Sequence, residues 1–277
     1  MSGSRRLPGG VTALAIGSLA VLYIPLLAVA VMSFNSTRYG QVWGGFTVDW
    51  YVKLLSNEKI LLAAKNSAIV ACVSTTIATI VGTLLAVGLR RLPLGRWGRT
   101  GADTLINLPT VTPDILLAAS LVVAYKIFRT LTAYVAPESK IFDPGLVTLI
   151  IGHVTFQVSF VAVVVGARLR AIGNEQFEAA RDLYADTWGL WRRVLLPQLA
   201  PGIVGGALLA FTLSLDDFVV SFFISGPSST TLPVLIYASV KRGVTPEIHA
   251  LSTLIVGLTM LAIVGMAFLN RPRPTQE

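Results

Sequence analysis

Apolar residues in this chain come in long unbroken runs, not in the narrow amphipathic stripes of a soluble helical fold. Six runs approach the roughly 20 apolar residues that a membrane-spanning helix needs. They cover about 11–32, 64–89, 104–128, 145–167, 201–224 and 248–269. The pattern predicts an all-α membrane protein with six transmembrane helices and a single transmembrane domain over 1–277. Arg5-Arg6 before the first run and Ala28-Val29-Ala30 near its end resemble a signal peptide. The run is longer than a signal core, so it reads as a span. Ser74, Thr75, Thr76, Gly82 and Thr83 in the second run are small residues that let helices approach closely. Pro109 and Pro113 interrupt the third run and predict a kink. Between the first two runs, Trp43, Phe46, Trp50 and Tyr51 suit a membrane interface.

One interval breaks the apolar pattern, about 168–197. At 100° per residue, Glu175, Glu178, Asp182 and Asp186 share one helical ridge. Phe177, Ala180, Tyr184, Trp188 and Trp191 fall opposite. The spacing predicts an amphipathic helix with Asn174 as its N-cap, then a second short helix capped by Thr187 and bounded by Pro197. A solvated surface helix between two buried ones fits the same periodicity.

Composition agrees with a membrane protein: 54% of the 277 residues are hydrophobic and 13% charged, against about 25% charged in soluble domains. Mean hydropathy is +0.72. The net charge of +8 does not require nucleic acid, because basic residues collect in cytoplasmic loops. An even number of spans puts both termini on one side. The densest basic clusters are Arg5-Arg6, Arg90 to Arg99 and Arg168 to Arg193, all on that same side. They place both termini and the 168–197 loop in the cytoplasm, the protein being multi-pass with lipid around it.

The single cysteine, Cys72, excludes an internal disulfide and a cysteine-based metal site. His153 and His249 are isolated and read as packing or helix-end residues, so no metal site is expected. No Gly-x-x-x-x-Gly-Lys-Ser/Thr loop occurs, and no nucleophile–base pair suggests catalysis. The chain is expected to bind no cofactor, with ATP and magnesium held by a separate polypeptide if transport is ATP-driven. The notable polar groups are Asp114 in the third run and Asp216-Asp217 in the fifth. An aspartate at mid-bilayer costs about 2.5–3.5 kcal/mol on insertion scales. With both runs heading outward, Asp114 falls near mid-membrane and the pair nearer the outer face. They read either as an acidic lining for a cationic substrate or as structural groups, paired for instance with Lys65 or Lys126 or capping a helix break.

Glu178-Ala179-Ala180, followed by Val194, Leu196 and Pro197, resembles the EAA loop of permease subunits in ATP-binding-cassette importers. Those permeases carry glycine four residues after the second alanine, where this chain has Tyr184. A positive φ there would strain a tyrosine by about 1–2 kcal/mol. The resemblance implies the type I importer permease fold, with Glu178, Ala179, Ala180, Asp182, Tyr184, Leu196 and Pro197 in cytoplasmic coupling helices that meet an ATPase. It further implies a second, homologous permease subunit, two ATPase subunits and a periplasmic substrate-binding protein, in a bacterial inner membrane.

Phe34-Asn35-Ser36, Leu108-Pro109 through Pro113-Asp114, Leu209 to Phe218, Ser225-Gly226-Pro227 and Thr230 to Pro233 are similar to the polyamine branch of these permeases. That implies half of a pathway for putrescine or spermidine, lined by Asp114, Asp216 and Asp217. Related branches carry iron, thiamine or anions on the same scaffold. An ion-coupled secondary transporter using Asp114 or Asp216, or a structural subunit anchoring an enzyme, are the competing classes. The polar cytoplasmic loop argues against the first and the intramembrane carboxylates against the second.

Overall fold

A bilayer core offers no water to backbone N–H and C=O groups, so a spanning segment must pair them internally, as a helix does. The structure, a computed structural model, describes residues 9–37, 42–173, 178, 180, 182, 184 and 186–269. These are helical apart from turns and a single isolated bridge, Asn35 to Phe46. The helices are α1 (Gly9–Met32), α2 (Asp49–Ser56), α3 (Glu58–Arg91), α4 (Arg96–Val111), α5 (Asp114–Val135) and α6 (Leu146–Ala171). After a π-helical segment, Leu190–Leu195, come α7 (Leu196–Asp216), α8 (Val219–Ile224), α9 (Leu232–Arg242) and α10 (Pro246–Leu269). Among the described residues, α1, α3, α5, α6 and the run Leu190–Asp216 are long and apolar enough to cross a membrane. The expected run at about 248–269 falls on α10, which is 24 residues long.

Two expected spans are divided. The third, about 104–128, is two helices: α4 ends at Val111 and α5 begins at Asp114. Pro113 disfavours the helical conformation at the residue before it, and Thr112 is extended, at ψ 130°. Pro109, by contrast, sits inside α4. The fifth, about 201–224, starts earlier and stops at Asp216; Asp217 is extended, at ψ 119°, before the separate α8.

The described residues form two compact units. In the unit made of 1–61 and 236–277, α10 packs against α1 and α2. Buried Asn35 organises the loop after α1: its side chain donates to the Val42 carbonyl at 2.9 Å and accepts from Gly44 N–H at 2.9 Å. The Trp50 indole donates to the Asn35 carbonyl at 2.8 Å.

The unit of 62–235 is built around α6, which lies against α4, α5, α7 and α8. One apolar cluster joins Val161, Val165 and Leu169 of α6 to Leu199 and Ala210 of α7 and Val87 of α3. A second joins Leu149 and Phe156 of α6 to Leu121 and Tyr125 of α5 and Val220 of α8. Glycines set the spacing at the crossings. A Cβ at Gly82 would lie 2.8 Å from the Val158 carbonyl oxygen, and one at Gly202 would lie 2.7 Å from the Arg168 Cβ. Ser74, Thr75 and Thr83 are buried as the small-residue pattern predicts, while Thr76 is exposed.

Candidate functional site

The two helix breaks meet. Asp114 opens α5 after the Thr112-Pro113 break, and Asp216 closes α7 before the Asp217-Phe218 break. Together they line a cavity of about 320 Å³ with Asp217, Phe156, Phe160 and Phe218 among its walls. The structure brings Asp114 and the acidic pair to one cavity. Splitting the third run places Asp114 at the start of a helix, not part-way along one. The α5 dipole favours the Asp114 carboxylate at its N-terminus, while Asp216 stands at a helix C-terminus, where the dipole disfavours an anion. A cation in the cavity would compensate that charge. Aromatic faces beside carboxylates also suit organic ammonium groups.

The acidic pair splits into two environments. Asp216 is exposed. Asp217 turns inward, its side chain only 10% exposed. The Asp217 carboxylate accepts the Ser221 N–H at 2.8 Å and the Val220 N–H at 3.3 Å, so it holds the first turn of α8. The side chain facing it is His153, with Nε2 3.5 Å from Oδ2, and neither Lys65 nor Lys126. His153 is fully buried in α6. The His153 Nδ1 lies 2.7 Å from Ser214 Oγ and its Nε2 3.1 Å from Ser221 Oγ. Ser214 Oγ in turn is 3.5 Å from Ser74 Oγ of α3. Sequence reasoning missed His153, Ser214 and Ser221. A signal for His153 was present, since an ionisable side chain inside an apolar run points to a polar interior site.

In the 168–197 loop, Glu178 and Asp182 are helical and exposed, and Ala180 is partly buried. Ala179 lies outside the described residues, as do Asn174, Glu175, Phe177 and Arg181. Tyr184 has φ +57°, the one positive φ at a non-glycine among the described residues, and is 97% exposed. That left-handed residue ends the first helical stretch, so a single helical wheel cannot extend from Glu178 to Trp191. Among the described residues the expected inward aromatic face is split: Tyr184 and Trp188 are exposed, while Trp191 packs against the core. The second short helix is capped by Asp186 in place of Thr187, the Asp186 carboxylate accepting the Gly189 N–H at 2.9 Å. Leu196 and Pro197 are exposed at the start of α7. The Leu196 N–H bonds to the Trp191 carbonyl, closing the π-helical turn. Among the described residues, no three His, Cys, Asp or Glu side chains converge as metal ligands.

In the unit of 62–235, apolar helices thus line a cavity walled by carboxylates and phenylalanine rings. Residues 78–271 match the family model for the inner membrane component of binding-protein-dependent transport systems, and the chain belongs to that family. It is a permease subunit of an ABC importer, a multi-span membrane protein and not itself an enzyme. It is 40% identical to the putrescine transport system permease protein PotI of Escherichia coli K12, over 94% of this chain and 89% of that one. It is 37% identical to the spermidine/putrescine transport system permease protein PotC of the same strain, over 92% of this chain and 91% of that one. The fold is similar to that of a bacterial ABC transporter that imports the acidic polysaccharide alginate, with a TM-score of 0.77, 18% identity, and coverage of 97% of this chain and 95% of that one. It is also similar to the MetNI methionine transporter in an inward-facing form, with a TM-score of 0.58, 18% identity, and coverage of 80% and 95%.

Proposed function

We propose that this chain forms half of the translocation pathway for a polyamine such as putrescine or spermidine. The observation that carries the reading is the cavity where Asp114, Asp216 and Asp217 meet phenylalanine rings. Carboxylates offer acceptors to the ammonium ends of a polyamine, and the rings offer faces to its methylene chain. The names of the relatives support the same solute. Three carboxylates disfavour an anionic solute.

The rest of the reading follows the family. Six spans in one permease domain, with both termini in the cytoplasm, would pair with a second, homologous permease subunit. A periplasmic binding protein would deliver solute from above. Two ATPase subunits would hold ATP and magnesium below, this chain binding neither. Glu178, Ala179, Ala180, Asp182, Tyr184, Leu196 and Pro197 would form the coupling surface, the exposed Glu178, Asp182 and Tyr184 facing the ATPase.

Putrescine uptake by the reconstituted transporter tests the reading. One charge-assisted hydrogen bond is worth about 1.5–3 kcal/mol, so Asp114→Asn and Asp216→Asn should each raise KM between about tenfold and a hundredfold. Wild-type KM in both variants would overturn it.

A further inference from the structure

We infer that His153 is a positioning residue that commits Asp217 to the helix junction and leaves Asp216, of the adjacent pair, to bind substrate ammonium. The inference rests on the cavity reading above and divides the labour within it. Asp217 is already used by the protein: two backbone amides of α8 donate to it, and His153 Nε2 faces it at 3.5 Å. His153 is itself fixed from both sides, by Ser214 of α7 and Ser221 of α8. Both of its ring nitrogens therefore have partners, and it has no exposed surface through which to reach a solute.

The tautomer follows from the chemistry. Asp217 and the Ser221 oxygen lie on the Nε2 side, so Nε2 carries the proton and donates there. Nδ1 then accepts the Ser214 hydroxyl proton. In this arrangement the imidazole ties α6 to the end of α7 and the start of α8, on either side of the break. The extended backbone at Asp217 turns consecutive side chains apart. With Asp217 drawn inward by His153, Asp216 is directed to the cavity. A substrate ammonium at Asp217 would have to share a carboxylate that already accepts two amide donors and faces the histidine. At Asp216 it meets an exposed carboxylate at a helix C-terminus, where a cation is favoured.

The test uses the assembled transporter in proteoliposomes, with labelled putrescine as probe and rates normalised to assembled complex. Asp216→Asn is expected to raise KM tenfold or more. Asp217→Asn and His153→Ala are expected to leave KM within threefold and to lower the maximal rate about fivefold or more, because the junction loosens. Because both act through one contact, the double variant should be no slower than the worse single one. His153→Gln, which keeps an N–H donor, should recover much of the rate lost in His153→Ala. The inference is overturned if Asp217→Asn raises KM as much as Asp216→Asn does, or if the His153 and Asp217 effects multiply. If none of the Asn variants at 114, 216 and 217 moves KM, the polyamine cavity itself fails and this division fails with it.

Discussion

The crossing of α6 and α7 makes a quantitative demand on two neighbouring glycines. At Gly202 an added Cβ would sit 2.7 Å from the Arg168 Cβ and 2.9 Å from its Cγ. Those atoms lie at the root of a side chain in α6, so relief requires the helices to separate. At Gly205, one turn on, the nearest atom would be Val164 Cγ1 at 4.0 Å, an ordinary contact. Replacing a helical glycine by alanine gains about 1 kcal/mol of helix propensity at either position. Overpacking costs about 1–3 kcal/mol and applies only at Gly202. Gly205→Ala should therefore stabilise the subunit by up to about 1 kcal/mol, and Gly202→Ala should be neutral to about 2 kcal/mol destabilising. The difference between the two, about 1–3 kcal/mol, is the robust quantity. At roughly 2–4 °C per kcal/mol it corresponds to a gap of several degrees between the variants in thermal unfolding of the detergent-solubilised protein. Gly202→Leu should widen the gap. Equal melting of the two alanine variants would refute the close approach of α6 and α7 at this point.

Two further outcomes concern the loop. Tyr184 pays a left-handed penalty of about 1–2 kcal/mol and buries almost nothing, being 97% exposed; Tyr184→Gly should slow hydrogen exchange in the loop, and Tyr184→Val should speed it, whereas indifference to both would show that no positive φ is needed there. Glu178→Lys reverses an exposed charge on the proposed coupling surface and should reduce co-purification of the ATPase and cut uptake at least tenfold, while the chain still inserts and pairs with its partner permease; normal uptake with ATPase bound would leave this segment as an ordinary solvated helix.

Much of this protein was legible from sequence because a bilayer allows few choices. Long apolar runs must become helices, so α1, α3, α6 and α10 fall close to the expected positions, while the third and fifth runs are divided by helix breaks. Glycines and small hydroxyls in such runs mark close crossings, as Gly82 shows. The spacing from Glu178 to Pro197 carried the family, and the doubt about Tyr184 was legible there too, since a residue standing for glycine advertises its φ. The acidic residues of the cavity were also visible, because an ionisable group in an apolar run has few neutral explanations. What sequence could not decide was which of them meet. Asp114 and Asp216 are about a hundred positions apart, and their convergence depends on two local breaks facing each other across packed helices. The split between Asp216 and Asp217 depends on His153, some sixty residues away on another helix. Hydropathy registers only how apolar a segment is, while the partner that turns a carboxylate inward is set by helix rotation and packing, which arise only when the bundle closes.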